Sequence, residues 1–305
     1  MNWLNKLMVQ IMPVIPKSFI RLVSKHYIAG ESLEDGIQKV YELNDRGYLA
    51  TLDVLGESIT NKKDTEKPLR LYRELIREIG NHPELRTGIS VKLTQLGLDI
   101  DKEFCWDNFQ QIIEVSEEID LFVRIDMEDS SVTSDTLDIF ERALGKYENM
   151  GIVIQAYLHR SENDIKHLMD LDANVRLCKG IYREPADIAY QGKEEIRRNF
   201  LLLGKMYLDA GKYLAIATHD QFLLDHFRTY IDNKNISSAQ YEYQALLGVP
   251  IDHILQSFVK NGSTVRIYTP FGEDWYAYSS RRLKENPDIA GYVVRDFFRK
   301  SDNKL

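Results

Sequence analysis

Cysteine is nearly absent: Cys105 and Cys178 are the only two in 305 residues, far apart and without a CxxC spacing. That excludes a disulfide framework and a cysteine-rich zinc site, and it fits a reducing compartment. Cys178 lies in a β-rich run, where a small buried residue is the ordinary reading and a catalytic thiol the alternative. Dense basic tracts are missing too. With 47 Asp plus Glu against 39 Lys plus Arg, the net charge of −8 argues against a broad nucleic-acid surface. No apolar run reaches the length of a membrane-spanning helix. Gly/Ser linkers, low-complexity segments and close repeats are also absent. The 17 glycines are scattered, and no GxGxxG follows the first β-rich run, so a doubly wound dinucleotide-binding sheet lacks its fingerprint.

What is present is an ordinary soluble composition, 44% hydrophobic and 28% charged, in a length that holds one large domain or two small ones. The first 27 residues, "MNWLNKLMVQIMPVIPKSFIRLVSKHY", are apolar with basic residues interspersed. Two prolines and the lack of a small-residue cleavage site fit a secretory signal poorly. The segment reads either as an amphipathic helix packed on the body or as a reversible membrane-surface contact.

Beyond it, β-rich runs recur at 49–55, 89–93, 121–127, 152–158, 175–180, 213–220, 238–243 and 264–270, with helical apolar spacing between most of them. Eight strands alternating with helices point to an α/β fold, a (β/α)8 barrel over residues 46–305 with a helical extension over residues 1–45.

In such a barrel the active site lies at the C-terminal ends of the strands. The polar residues expected there are Asp53, Lys92, Asp126, Gln155, Arg176, Lys179, His219, Glu242 and Tyr268, with Asp53 and Glu242 read as structural. Histidines are too few at those ends, His159 and His219 alone, for a metal site. Cations dominate. Lys92, Arg176 and Lys179 are joined by the pair Arg281-Arg282 in "GEDWYAYSSRRLKENP" (272–287), where helical spacing sets Trp275, Tyr278 and Arg282 on one face. That pair reads either as a solvated face paired with Glu285 or as a clamp for a carboxylate or phosphate. A cationic cluster of this kind favours a phosphorylated cofactor and an acidic substrate. Lys179-Gly180 would allow close backbone approach to a phosphate, although plain turns also end this way. In "ATHD", Thr218 and His219 could bind a cofactor, or fix the helix that Asp220 caps.

Eight ordered stretches carry a resemblance: "TLDVLGE" (51–57), "SVKLTQLG" (90–97), "VRIDMEDS" (123–130), "IQAYL" (154–158), "VRLCKGIYREP" (175–185), "ATHD" (217–220), "YEYQALLG" (241–248) and "RIYTPFGEDWYAYSSRRLKENP" (266–287). Together they resemble the proline dehydrogenase family in its monofunctional bacterial form. The resemblance implies a distorted (β/α)8 barrel with noncovalent FAD that oxidises L-proline to Δ1-pyrroline-5-carboxylate by hydride transfer to flavin N5. Electrons would pass to a membrane quinone, and a separate pyrroline-5-carboxylate dehydrogenase would act downstream. The location implied is cytoplasmic, with peripheral contact on the inner face of the cell membrane.

Residue by residue, the resemblance makes Lys92, Arg281 and Arg282 the carboxylate-binding trio, Asp126 the active-site aspartate and Arg176 the arginine beside N5. Met127, Gln155, Lys179, Gly180, Ile181, Thr218 and His219 match FAD-contacting positions. Glu285, an acidic partner of the arginine pair, belongs with that cofactor set. Tyr182, Leu246 and Tyr268 resemble the walls around the proline ring. Departures are small: relatives often carry Val or Ala at the positions of Cys178 and Ile181.

Chemistry agrees with this transfer, because oxidation next to the ring nitrogen requires a substrate held flat and fixed against the flavin. Two other readings stay open: a Schiff-base lyase or aldolase using Lys92 or Lys179, and a barrel that binds a small acid without chemistry.

Overall fold

The computed structural model describes residues 26–56 and 58–276 together with Arg21, Ser24, Tyr278 and Ser279. The β-rich runs are apolar at successive positions and buried on both faces, the pattern of parallel strands flanked by helices. They form β1 (Leu49–Val54), β2 (Thr87–Val91), β3 (Val123–Ile125), β4 (Met150–Gln155), β5 (Asn174–Cys178), β6 (Leu214–Ala217), β7 (Tyr241–Leu246) and β8 (Val265–Phe271). Each strand pairs in parallel with the next. β8 returns to β1, with Thr51 opposite Tyr268, and closes the barrel.

Helix α1 (Leu33–Asp45) precedes β1, and α2 (Glu66–Gly80), α3 (Lys102–Glu117), α4 (Thr133–Leu144), α5 (Ser161–Asp170), α6 (Lys193–Asp209), α7 (Gln221–Lys234) and α8 (Asp252–Lys260) are the crossovers that follow β1 to β7. Their apolar faces cover the outer wall of the barrel, as where Phe200 of α6 meets Phe227 of α7 edge to face at 5.8 Å. Each such side chain, fully buried, stabilises the fold by about 1.5–3 kcal/mol.

α1 starts at a capping box, with the Ser32 hydroxyl accepting from the Asp35 N–H and the Asp35 carboxylate accepting from the Ser32 N–H. It lies on the seam between β8 and β1, so close that a Cβ at Gly36 would stand 3.2 Å from the Phe271 ring. The helix before the first strand thus fills the place of an eighth crossover helix. Leading into it, residues 26–30 run along the rim at the C-terminal end of β8, where Ala29 N–H donates to the Pro270 carbonyl at 2.8 Å and Gly272 N–H to the Gly30 carbonyl at 3.0 Å.

One strand differs from expectation. β7 begins three residues later than the run 238–243, because Asn235 ends α7 in the left-handed region (φ 51°) and Ser237 to Gln240 close a turn. Glu242 consequently sits at the N-terminal end of its strand, on the barrel floor and away from the mouth. There it accepts from Arg266 Nε at 2.9 and 3.1 Å. Among the described residues, no helix is long and apolar enough to cross a membrane.

Candidate active site

Parallel strands bring residues at the same height on different strands to one end of the barrel, and here they assemble a charged network. Lys92 follows β2 and extends its ammonium to the Asp53 carboxylate of β1, to Asp126 Oδ2 at 3.2 Å and to the Tyr268 hydroxyl of β8 at 3.1 Å. Tyr268 donates in turn to Asp126 Oδ2 at 2.7 Å. The other oxygen, Asp126 Oδ1, accepts from the Ser90 hydroxyl at 2.6 Å and from Arg176 Nη1 at 2.9 Å. The Arg176 guanidinium also lies over the Tyr268 ring, 5.2 Å from its centroid.

This geometry sets the protonation states. Burial alone would lower the Lys92 pKa, but the Asp53 carboxylate, Tyr268 and Asp126 outweigh it and hold the ammonium charged. Burial pushes the Asp126 carboxyl up, yet Lys92, Arg176 and the hydrogen bonds from Ser90 and Tyr268 bring it below the ordinary range. Asp53 is raised by its complete burial, against the pull of Lys92. Tyr268 stays a phenol, its pKa driven well up by burial and by Asp126 and Asp53. The network therefore joins Lys92 and Arg176 to the carboxyl groups of Asp53 and Asp126, with Tyr268 a neutral phenol that accepts from Lys92 and donates to Asp126.

Arg176 has further capacity. It is 6% exposed, and its Nε and Nη2 are buried without hydrogen-bond partners. Two unsatisfied donors on a buried cation invite an acceptor from outside the protein.

Around this centre lie the other expected residues. Met127 is buried after β3, and Gln155, at the end of β4, donates from Nε2 to the Glu128 carbonyl at 2.7 Å. Lys179 follows β5 and pairs with Asp220 at 2.6 Å, while Arg197 grips the same carboxylate at 2.9 and 2.8 Å. Burial would raise Asp220, but these hydrogen bonds and charges hold it well below the usual range. Asp220 also caps α7, and its own N–H donates to the Thr218 hydroxyl at 3.1 Å. His219 Nε2 accepts the Leu246 N–H at 3.0 Å, which leaves the ring proton of the neutral imidazole on Nδ1. Leu246 and Tyr268 are register partners on β7 and β8 and stand side by side.

Gly180 adopts φ 106°, and a Cβ there would fall 2.1 Å from the Tyr157 ring. Only glycine fits so close an approach. Ile181 is 42% exposed beside it, and Tyr182 follows on the same loop. Arg281, Arg282 and Glu285 lie outside the described residues.

Asp53, read as structural, pairs with Lys92. Two other contributors are not singled out by the sequence reading. Ser90 and Glu128 went unnoticed, yet the Glu128 carboxylate binds Thr94 N–H at 3.0 Å and its hydroxyl at 2.6 Å, tying the turn after Lys92 to the loop after Asp126. Ser90 stands two residues before Lys92 and Glu128 two residues after Asp126, and that spacing of two was the available signal. Burial pushes the Cys178 thiol up to about 11, so it is not a nucleophile at neutral pH. Among the described residues no group of three or more His, Cys, Asp and Glu is placed to hold a metal ion.

Known proteins resemble this chain along most of its length. The profile of the family described as "Proline dehydrogenase" matches residues 36–295, the whole barrel. Proline dehydrogenase 1 of Bacillus subtilis (strain 168) is 35% identical over 280 residues, covering 92% of this chain and 92% of its own. Proline dehydrogenase of Deinococcus radiodurans is 34% identical over 278 residues, or 90% of this chain and 89% of its own. A crystal structure of proline utilization A (PutA) from Bdellovibrio bacteriovorus, inactivated by N-propargylglycine, is similar with a TM-score of 0.80 at 28% identity, over 87% of this chain and 32% of that longer one. The length, order and identity of these matches establish that the chain belongs to the proline dehydrogenase family.

Proposed function

We propose that this protein oxidises L-proline to Δ1-pyrroline-5-carboxylate with noncovalently bound FAD. The observation that carries the reading is the largely buried Lys92, Asp126 and Arg176 network, at the mouth of a barrel that belongs to the proline dehydrogenase family. When bound, FAD supplies the two-electron acceptor that no side chain of the protein can provide. Arg176 fits such a group, because its two unpartnered donors and fixed charge suit electron-rich acceptor atoms. Met127, Gln155, Lys179, Gly180, Ile181, Thr218, His219 and Glu285 complete the proposed cofactor site.

Lys92, Arg281 and Arg282 are proposed to hold the substrate carboxylate, which would take over one of the ammonium bonds that Lys92 now makes within the protein. Tyr182, Leu246 and Tyr268 would enclose the ring and exclude water. Ionised Asp126 anchors Arg176 and Tyr268 and so fixes their orientation. We assign catalysis to residues 46–305, with α1 of the preceding extension as an outer wall.

A Schiff-base lyase is a poorer fit. A lysine nucleophile must lose its proton, and Lys92 is held charged by two carboxylates, while Lys179 is paired with Asp220. We further propose that electrons leave to a membrane quinone, reached from the cytoplasmic side by peripheral contact through the apolar, basic N-terminus. A separate pyrroline-5-carboxylate dehydrogenase would consume the product.

The test is a visible spectrum of the purified protein before and after anaerobic addition of L-proline. Oxidised-flavin bands that bleach with proline are expected. A protein that stays colourless after reconstitution with FAD would overturn the reading, and borohydride trapping of a substrate adduct would then point to the lyase.

A further inference from the structure

Residues 179–192, between β5 and α6, form an irregular loop that carries Lys179, Gly180, Ile181 and Tyr182. Its two ends are fixed by backbone bonds to the turn after β4. Tyr157 N–H donates to the Lys179 carbonyl and Tyr190 N–H to the Tyr157 carbonyl, both at 2.8 Å, and Leu158 and Ala189 form an antiparallel bridge. His159 adds contacts to the Ile188 and Ala186 carbonyls, each at 3.0 Å.

Farther out, the loop is joined to a different element. Both oxygens of the Glu184 carboxylate accept from one residue of the β3–α4 loop: Ser130 N–H donates to Oε1 at 2.8 Å and the Ser130 hydroxyl to Oε2 at 2.7 Å. β3 and β5 are not neighbours, since β4 lies between them. The contact therefore spans the end of β4, where Gln155 sits, and couples the loop of Asp126 and Met127 to that of Gly180 and Tyr182. Two charge-assisted bonds on one partly buried carboxylate are strong and directional.

We propose that Ser130 and Glu184 are positioning residues: their clasp holds the outer part of the 179–192 loop against the mouth and sets the place of Tyr182, Ile181 and Gly180. Neither residue reaches the Lys92–Asp126–Arg176 network, so the clasp acts on how tightly ligand is held and not on the reacting bond. Its effect on substrate rests on the function proposed above, whereas its effect on the loop does not.

The experiment uses the FAD-loaded protein and the variants Glu184→Ala, Ser130→Ala, Ser130→Thr and the double alanine. Amide hydrogen exchange over residues 180–188 is measured without proline, and steady-state kinetics with L-proline. Loss of the clasp in Glu184→Ala should speed exchange in the loop and raise KM about tenfold, the factor that one charged hydrogen bond contributes, with kcat nearly unchanged. Ser130→Ala keeps its N–H bond and should show a smaller change, Ser130→Thr should behave as the unaltered protein, and the double variant should match Glu184→Ala alone. Unchanged exchange in Glu184→Ala, or additive effects in the double variant, would overturn the clasp. A protein without proline turnover would instead sink the proposed function and leave the exchange result to decide the loop.

Discussion

At the scale of single residues, Lys92 is the pivot of the site. Its contacts with Asp53, Asp126 and Tyr268 are all internal, so the ammonium is fixed before any ligand arrives. Replacing Lys92 with Met should leave two buried carboxylates facing each other. Breaking a buried pair in this way costs about 3–5 kcal/mol. Urea denaturation of Lys92→Met is expected to show a loss of that order, and adding Asp53→Asn should recover much of it. Recovery in the double variant would separate the charge imbalance from lost packing, and equal losses in both would refute the pairing. A strand-end lysine is readable in the sequence as a candidate. Asp53 is readable in the same way, but its pairing is not, because the partner lies 39 positions away.

Among elements, the rim segment before α1 shows how backbone geometry constrains sequence. Gly248, just after β7, has φ 77°, and a Cβ there would lie 1.9 Å from the His26 carbonyl oxygen. A backbone clash cannot be relieved by a rotamer change. Gly248→Ala should therefore displace residues 26–30 from the rim and lower the melting temperature. Gly211 makes a useful control, since it shares a positive φ of 73° but has nothing within 4 Å. Gly211→Ala should cost only the left-handed strain, about 1 kcal/mol. Equal melting temperatures for the two variants would show that the rim contact contributes nothing. β7 makes the same point about reading elements: "SAQYEY" has strand composition, but a helix ending at Asn235 and a turn to Gln240 delay pairing until Tyr241.

For the whole molecule, acid sensitivity follows from the paired carboxylates. Asp220 has a folded-state pKa below its ordinary value of about 3.9, so its pairing stabilises the fold above that pH and the contribution fades as pH falls through the folded pKa. Asp126 and Glu242 act in the same direction, through Lys92 and Arg176 in one case and Arg266 in the other, each against the opposing effect of burial. Asp53 and Glu128, raised by burial, have the opposite sign. Asp220→Asn isolates one such contribution. The melting-temperature difference between the unaltered protein and this variant should be largest near neutrality and shrink below about pH 4. A difference independent of pH would show that Asp220 stabilises through its uncharged hydrogen bonds alone.

The alternation of strands and helices, the helix starts at Ser32 and Asp220, and the lysines and arginines at strand ends are all local in the chain. Burial periodicity and cap chemistry act over a few residues, so the sequence by itself determined the barrel and its candidate cations. Which carboxylate meets which cation was decided only by closure of the barrel. Asp53, Lys92, Asp126, Arg176 and Tyr268 come from five different strands or the residues just after them, Arg176 and Tyr268 from mid-strand, and Ser130 meets Glu184 across an intervening strand. Such pairings depend on strand register, where a shift of a few residues, as at β7, moves a side chain such as Glu242 from the mouth to the floor.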